Sequence, residues 1–465
     1  MIIYLSNKLT RKYGLFTAIC MVVGIVIGSG VFFKAGDILA ITGGDMSTGV
    51  YAWIIGGCIM LACLLSFSFM SQRHERVNGI VDYAEALVGP KYGYIMGWFS
   101  TTVYFPAMTS VLAWVSARYT MAFLLSAFPN LSVLIPNGVT GPETMVLAGV
   151  YLIVIYAMNN LSPRIAGKFQ TGTTIIKMIP LALMAVVGLI AGITSGLLQE
   201  NFTTDMANVQ PTSSNPLFAA VCATAFAYEG WIIATSINSE IKDSKKNMPK
   251  ALIVGGIVIM ATYLLYYIGA AGGATKAELM EKGATVAYTN IFGGVVGNIL
   301  NLIIAISCIG TTNGLMLGCT RCMYSLADRK RGPKSDMYSQ VDKATNMPAN
   351  SATFALVACA VWFLYFYVAN LWGGVPAGAP FAFDSSELPI IAINLMYLPI
   401  FICWMVKAKG ESTLRRFVVP ALAFAGSVFM IIASIYRHQM GCLWFMIVFI
   451  ATMIVGLLLD MKKKK

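Results

Sequence analysis

The sequence predicts an all-α polytopic membrane protein of twelve transmembrane helices, and three observations carry the prediction. Hydrophobic residues make up 58% of the 465 and charged residues 11%, against about a quarter charged in soluble domains. So few charges cannot cover a water-facing surface. Twelve nearly uncharged windows are each long enough to cross about 30 Å of hydrocarbon, which takes roughly 20 helical residues. Finally, 26 of the 32 Lys and Arg fall in alternate connectors or, for Arg321, at the span end that leads into one, the bias that marks cytoplasmic loops.

In chain order, the first span (15–40) follows Lys8, Arg11 and Lys12, and the second (47–70) precedes Arg73 and Arg76. Lys91 opens the third (92–126), and Arg164 and Lys168 separate the fourth (143–161) from the fifth (170–197). Lys242, Lys245, Lys246 and Lys250 lie between the sixth (214–239) and the seventh (251–273). The eighth (289–325) leads to Arg329, Lys330, Arg331, Lys334 and Lys343 before the ninth (350–370). Lys407, Lys409, Arg415 and Arg416 part the tenth (386–406) from the eleventh (417–436), and the twelfth (440–459) ends in Lys462 to Lys465. Outer connectors hold only Lys276, Lys282 and Arg437. Both termini are therefore expected in the cytoplasm of a multi-pass cell-membrane protein, with the basic tail against anionic headgroups.

Several function classes fall away. The net charge of +12 resides in short connectors rather than in a basic stripe beside aromatics, so no nucleic acid is expected as a partner. The ten Cys lie almost wholly in apolar runs; Cys319-x-x-Cys322 lacks a second pair, and with only two His no metal or cofactor site is expected. The connectors are too short for an inserted soluble domain. No paired acids, HExxH or serine–base arrangement lies within the spans, so the chain reads as no enzyme.

Two Gly-containing runs mark where helices should break. Gly24-Ile25-Val26-Ile27-Gly28-Ser29-Gly30 sits mid-depth in the first span, and Phe226-Ala227-Tyr228-Glu229-Gly230-Trp231 in the sixth. An offset of five spans makes the second half enter the membrane in the opposite direction, and paired interruptions at corresponding positions of an inverted repeat point to a transporter's binding site. The competing reading of Gly24 and Gly28 is a small-residue packing face. Unwound segments free N–H groups that suit a carboxylate and carbonyls that suit an ammonium. Two broken helices can thus hold both ends of an α-amino acid.

Two deep charges are expensive, at about 2.5–3.5 kcal/mol each on insertion scales. Lys177 in the fifth span either snorkels to the interface, carries a coupled proton, or fills the place of a coupling cation. In the last case it would tie carbonyls near Val26 to Thr311, Thr312 or Asn313 of the eighth span. Glu229 either binds an amine or cationic side chain, protonates during transport, faces an aqueous vestibule or pairs internally.

Gly28-Ser29-Gly30-Val31-Phe32, the Phe226–Trp231 run with Glu240-Ile241-Lys242 and Asn247-Met248-Pro249, and Asn313-Gly314 with Arg321 and Gly332-Pro333 together resemble the amino acid/polyamine/organocation superfamily. The branch they resemble is the L-type amino acid transporters and their bacterial relatives. The resemblance implies a LeuT-type fold: an N-terminus (1–14), two inverted repeats (15–198 and 206–407), two peripheral helices (414–461) and a basic tail (462–465). It implies that Ser29 and Gly30 hold the substrate carboxylate, that the carbonyls of Val26, Phe226 and Glu229 hold the ammonium, with Gly28, Ala227 and Gly230 completing the site, and that Phe226 is the gate. Lys177 matches the lysine of that branch's fifth span. The implied activity is sodium-independent exchange or proton-coupled carriage of neutral L-amino acids; cationic amino acids or polyamines, or a transporter-like sensor, are the alternatives. The run Ser66-Phe67-Ser68-Phe69-Met70 departs from the family's usual Tyr-Ala-Glu, and Glu229 stands where Gly is common. Residues 127–142 contain no Cys, so no disulfide-linked heavy subunit is expected.

Overall fold

The computed structural model describes residues 5–6, 9–28, 30–203, 211, 215–376 and 379–462. Eleven helices in it are long and apolar enough to cross a membrane: Met46–Ser71, Pro90–Ala127, Pro142–Leu161, Pro163–Ser195, Pro216–Glu240, Ser244–Gly273, Gly294–Asp328, Ala349–Leu371, Leu388–Lys407, Leu414–His438 and Met440–Met461. A pair bent by 41°, Leu15–Val26 and Gly30–Ile41, makes the twelfth. The chain is thus an all-α polytopic membrane protein. The expected start of a second repeat at 206 and the tail beyond Lys462 lie outside the described residues.

The spans begin where local chemistry lets them. Asp45 caps the second through hydrogen bonds from the amides of Ser47 and Thr48, and Asn215 caps the sixth through the amide of Phe218; each meets orphan donors of a first turn. Proline opens the third, fourth, fifth and sixth, where its missing N–H costs nothing. The fifth span begins at Pro163 and the seventh at Ser244, earlier than the expected 170 and 251. Arg164, Lys168, Lys245, Lys246 and Lys250 are helical, and an uncharged window cannot include them. The connector after the seventh span is also more ordered than expected, with helices Lys276–Lys282 and Thr285–Phe292. Its second helix takes the residues expected to open the eighth span.

Prolines inside spans loosen them locally. Pro106 removes an amide from the third span, and a π turn, Ser100–Tyr104, precedes it. The freed carbonyl of Thr102 accepts from Trp362 Nε1 at 2.7 Å, so this loosened turn is tied to the ninth span. The eighth span is the central post: every residue from Gly310 to Ala327 is buried. The N-terminal segment is strapped beneath the bundle, with the amides of Lys12 and Tyr13 donating to Glu240 O at 2.8 and 3.0 Å and that of Lys242 to Tyr13 O at 2.9 Å. Leu5–Ser6 pairs antiparallel with Val341–Asp342 between the eighth and ninth spans.

Candidate functional site

The first span is helical to Val26 and resumes at Gly30. The sixth is α-helical to Tyr228, extended at Glu229 and left-handed at Gly230, whose φ of 103° favours glycine, then 3₁₀ from Trp231 to Glu240. The two interruptions pack on each other. A Cβ on Gly30 would lie 2.9 Å from the Ala227 Cα, and one on Gly230 would lie 3.0 Å from Ile25 Cγ2. Tyr263 of the seventh span clasps both, donating to Val26 O at 3.1 Å and to Ala227 O at 2.9 Å.

Around this meeting point is a cavity with about 340 Å³ of space, lined by Ile25, Val26, Gly28, Gly30, Phe226, Glu229, Gly230 and Thr311, with Met108, Leu112 and Leu315 as apolar walls. Of the residues expected at the site, Ser29 lies outside the described residues. Ala227 is spent in the close contact with Gly30. Phe226 also lines a second cavity, toward the expected outer face, with Lys34, Trp114, Arg118, Phe366 and Glu387. It therefore stands between the two.

Lys177 is fully buried. Its Nζ donates to the carbonyls of Gly24 (2.8 Å), Ile27 (2.5 Å) and Ser307 (3.0 Å) and to Thr311 Oγ1 (3.2 Å). The Thr311 hydroxyl donates its own hydrogen bond to carbonyls of the same set, Gly24 O at 3.1 Å among them, so Nζ faces acceptors only. A charged amine with three hydrogens answers that cage. Snorkelling is excluded by the true helix start. Fourteen residues, about 21 Å at the α-helical rise, separate Pro163 from Lys177. Two members of the expected donor set differ: Thr312 donates to Cys308 O at 2.9 Å, and Asn313 donates to Gln170 Oε1 at 2.8 Å and accepts from Asn159 at 2.9 Å. Successive helical residues point about 100° apart, so Thr311 alone faces the break. The carbonyl of Val26 serves Tyr263 rather than Lys177.

Glu229 pairs internally, accepting from the Tyr104 hydroxyl at 2.5 Å. It also lines a further cavity with about 400 Å³ of space, with Cys63, Thr224, Tyr228, Asn394 and Tyr397.

The family model described as amino acid permease matches residues 13–459. The chain belongs to the amino acid permease family. Among similar proteins, the serine/threonine exchanger SteT of Bacillus subtilis is 29% identical over 450 residues, covering 94% of each chain. The b(0,+)-type amino acid transporter 1 of Mus musculus is 28% identical over 352 residues, covering 74% of this chain and 68% of the relative. The Asc-type amino acid transporter 1 of Mus musculus is 22% identical over 447 residues, covering 93% and 78%. The protein is accordingly a membrane transporter and not an enzyme.

In this permease the sequence reading missed charged groups besides the two deep ones. Arg321 and Glu240 are both fully buried and paired bidentately at 2.5 and 3.0 Å, and Lys12 joins Glu240 at 2.7 Å. On the opposite side, buried Lys34 meets Glu387 at 3.2 Å, where Arg437 (3.3 Å) and His438 (2.9 Å) also converge. Asp384, Glu387 and His438 hold ligand-type atoms within 4.8 Å of one another, but cations already occupy the Glu387 carboxylate. Lys34 and Glu387 lie 353 residues apart, and no local pattern announces such a pair. Tyr104 and Tyr263 likewise read as ordinary apolar residues of their spans.

Proposed function

We propose that this permease is a sodium-independent exchanger of neutral L-amino acids, working by alternating access around the cavity between the breaks of the first and sixth spans. The observation that carries the reading is the Lys177 cage: a protein ammonium sits among carbonyl oxygens of the broken first span and the eighth, where a coupling cation would otherwise be needed. The amides opening the helix at Gly30, together with Ser29, hold the substrate carboxylate. Carbonyls of Val26, Phe226 and Glu229 hold its ammonium, and Phe226 gates it from outside. The walls of Met108, Leu112 and Leu315 accept an uncharged side chain. In keeping with that, the exchanger of Bacillus subtilis is named for serine and threonine.

We further assign residues 15–198 and 206–407 to two inverted repeats, with 414–461 peripheral to them. Both termini lie in the cytoplasm of the cell membrane, and the permease works without a disulfide-linked heavy subunit. Cationic amino acids are the second reading, because the Glu229 carboxylate lines the same cavity as the breaks.

Exchange in proteoliposomes, with labelled neutral and cationic amino acids inside and a matched panel outside, tests both. Equal rates in sodium, potassium and choline salts with preference for neutral substrates are expected. A rate that follows the sodium gradient would end the first reading, and selective exchange of arginine or lysine would put the second in its place.

A further inference from the structure

Two adjoining clefts open where the N-terminal segment meets the start of the fifth span. Arg11, Lys12, Arg164, Lys168 and Lys242 line the first, with about 1200 Å³ of space. Lys12, Ser162, Arg164 and Lys343 line the second, with about 1230 Å³. Among the described residues no acidic side chain lines either. Two of these cations are matched by acids, Arg11 by Glu75 at 3.2 Å and Lys12 by Glu240, which is buried against it and Arg321. The fifth span starts at this place, and no side chain caps it, so its leading amides add partial positive charge. The crowding of cations is felt by Lys12. Burial pushes its ammonium below the usual range despite Glu240, and the charges of Arg321 and Arg164 push the same way.

Exposed apolar side chains lie in, or next in sequence to, the segments that line these clefts. Leu161, which lines the second, is 68% exposed, and Ile165 beside Arg164 is 57% exposed. Phe16, at the start of the first span, is 62% exposed. Cations immediately next to lipid-facing hydrocarbon match a phosphate headgroup with its acyl chains descending along the bundle, as basic pockets between spans do elsewhere.

We propose that these clefts form a site for one anionic phospholipid, its phosphate held by Arg164, Lys168 and Lys242 at the foot of the first and fifth spans. The lipid neutralises the cations around Lys12 and so stabilises the Lys12–Glu240–Arg321 closure. Assigning it to the cytoplasmic leaflet rests on the orientation proposed above; binding itself does not, because a reconstituted bilayer carries the lipid in both leaflets.

The test is thermal unfolding of the full permease in nanodiscs of phosphatidylcholine with increasing phosphatidylglycerol, a readout independent of transport. Three proteins are compared: wild type, Arg164→Gln/Lys168→Gln, and Lys245→Gln/Lys246→Gln as a charge-matched control. Wild type and control should gain stability with phosphatidylglycerol over the same range. The site variant should need at least about tenfold more lipid, the worth of one lost charge-assisted hydrogen bond to the phosphate, and Arg164→Lys should behave as wild type. Equal losses in the site variant and the control would show only a diffuse surface attraction, and no gain in wild type would show no site. The same gain from inorganic phosphate in pure phosphatidylcholine would point to a free anion. Each of these three overturns the proposal.

Discussion

Among single residues, Lys177 carries the heaviest consequence, because four oxygens from two spans converge on one nitrogen. Replacing it by methionine keeps the volume but leaves more buried carbonyls than the Thr311 and Ser307 hydroxyls can serve, each unmet one costing about 1–3 kcal/mol. Lys177→Met should therefore lower the unfolding temperature and reduce exchange at least tenfold; unchanged exchange would refute the ion-substitute role. Glu229 behaves differently. A glutamine there still accepts from Tyr104 through its amide oxygen, so Glu229→Gln should keep exchange of neutral substrates within about fivefold, since a neutral hydrogen bond is worth about 1 kcal/mol less than a charged one. Uptake of a labelled neutral amino acid decides this: abolition would show that the carboxylate itself is required.

Among elements, the fifth and seventh spans show how small residues set a helix pair. A Cβ on Gly272 would lie 2.0 Å from Gly188 O and 3.1 Å from Gly192 Cα, contacts with backbone that no rotamer relieves. Gly272→Ala should cost about 1–3 kcal/mol, as overpacking does, seen as a lower melting temperature. Gly172→Ala, with nothing within 4 Å of the added carbon, should be neutral or slightly stabilising. The same scale shows what was legible in the sequence. The spans were, because hydrocarbon thickness fixes their length, and so was the interruption near Gly28 and at Gly230, because clustered glycine at mid-depth has few uses. Helix starts carrying charge, such as Arg164, were not legible, since a hydropathy window ends at the first charge. Nor was the choice of Thr311 over Thr312 and Asn313, which depends on the rotation of the eighth span against the first. Tyr104 and Tyr263 gave no signal at all; their partners are backbone or lie more than a hundred residues away.

Across the whole molecule, two ion clusters sit on opposite sides of the break in the first span. One joins the N-terminal segment, the end of the sixth span and the eighth through Lys12, Glu240 and Arg321. The other joins the second half of the first span to the tenth and eleventh through Lys34, Glu387, Arg437 and His438. Alternating access requires that the ends open in turn, so each cluster must be weak enough to break and strong enough to hold. Removing one partner of a buried pair costs about 3–5 kcal/mol, because the other charge is left uncompensated. Glu240→Gln strands Arg321 and Lys12 together, and their repulsion adds to the loss. The first end should then open while the far end stays paired. Hydrogen exchange reads this at the amides of Lys12 and Tyr13, which donate to Glu240 O in the closed form. Their exchange should accelerate strongly in Glu240→Gln and stay near the wild-type rate in Glu387→Gln, whose cluster lies at the opposite end. Acceleration in both variants would mean that the ends are not independently latched, and protection retained in Glu240→Gln would mean that the backbone strap, rather than the ion pair, holds that end shut.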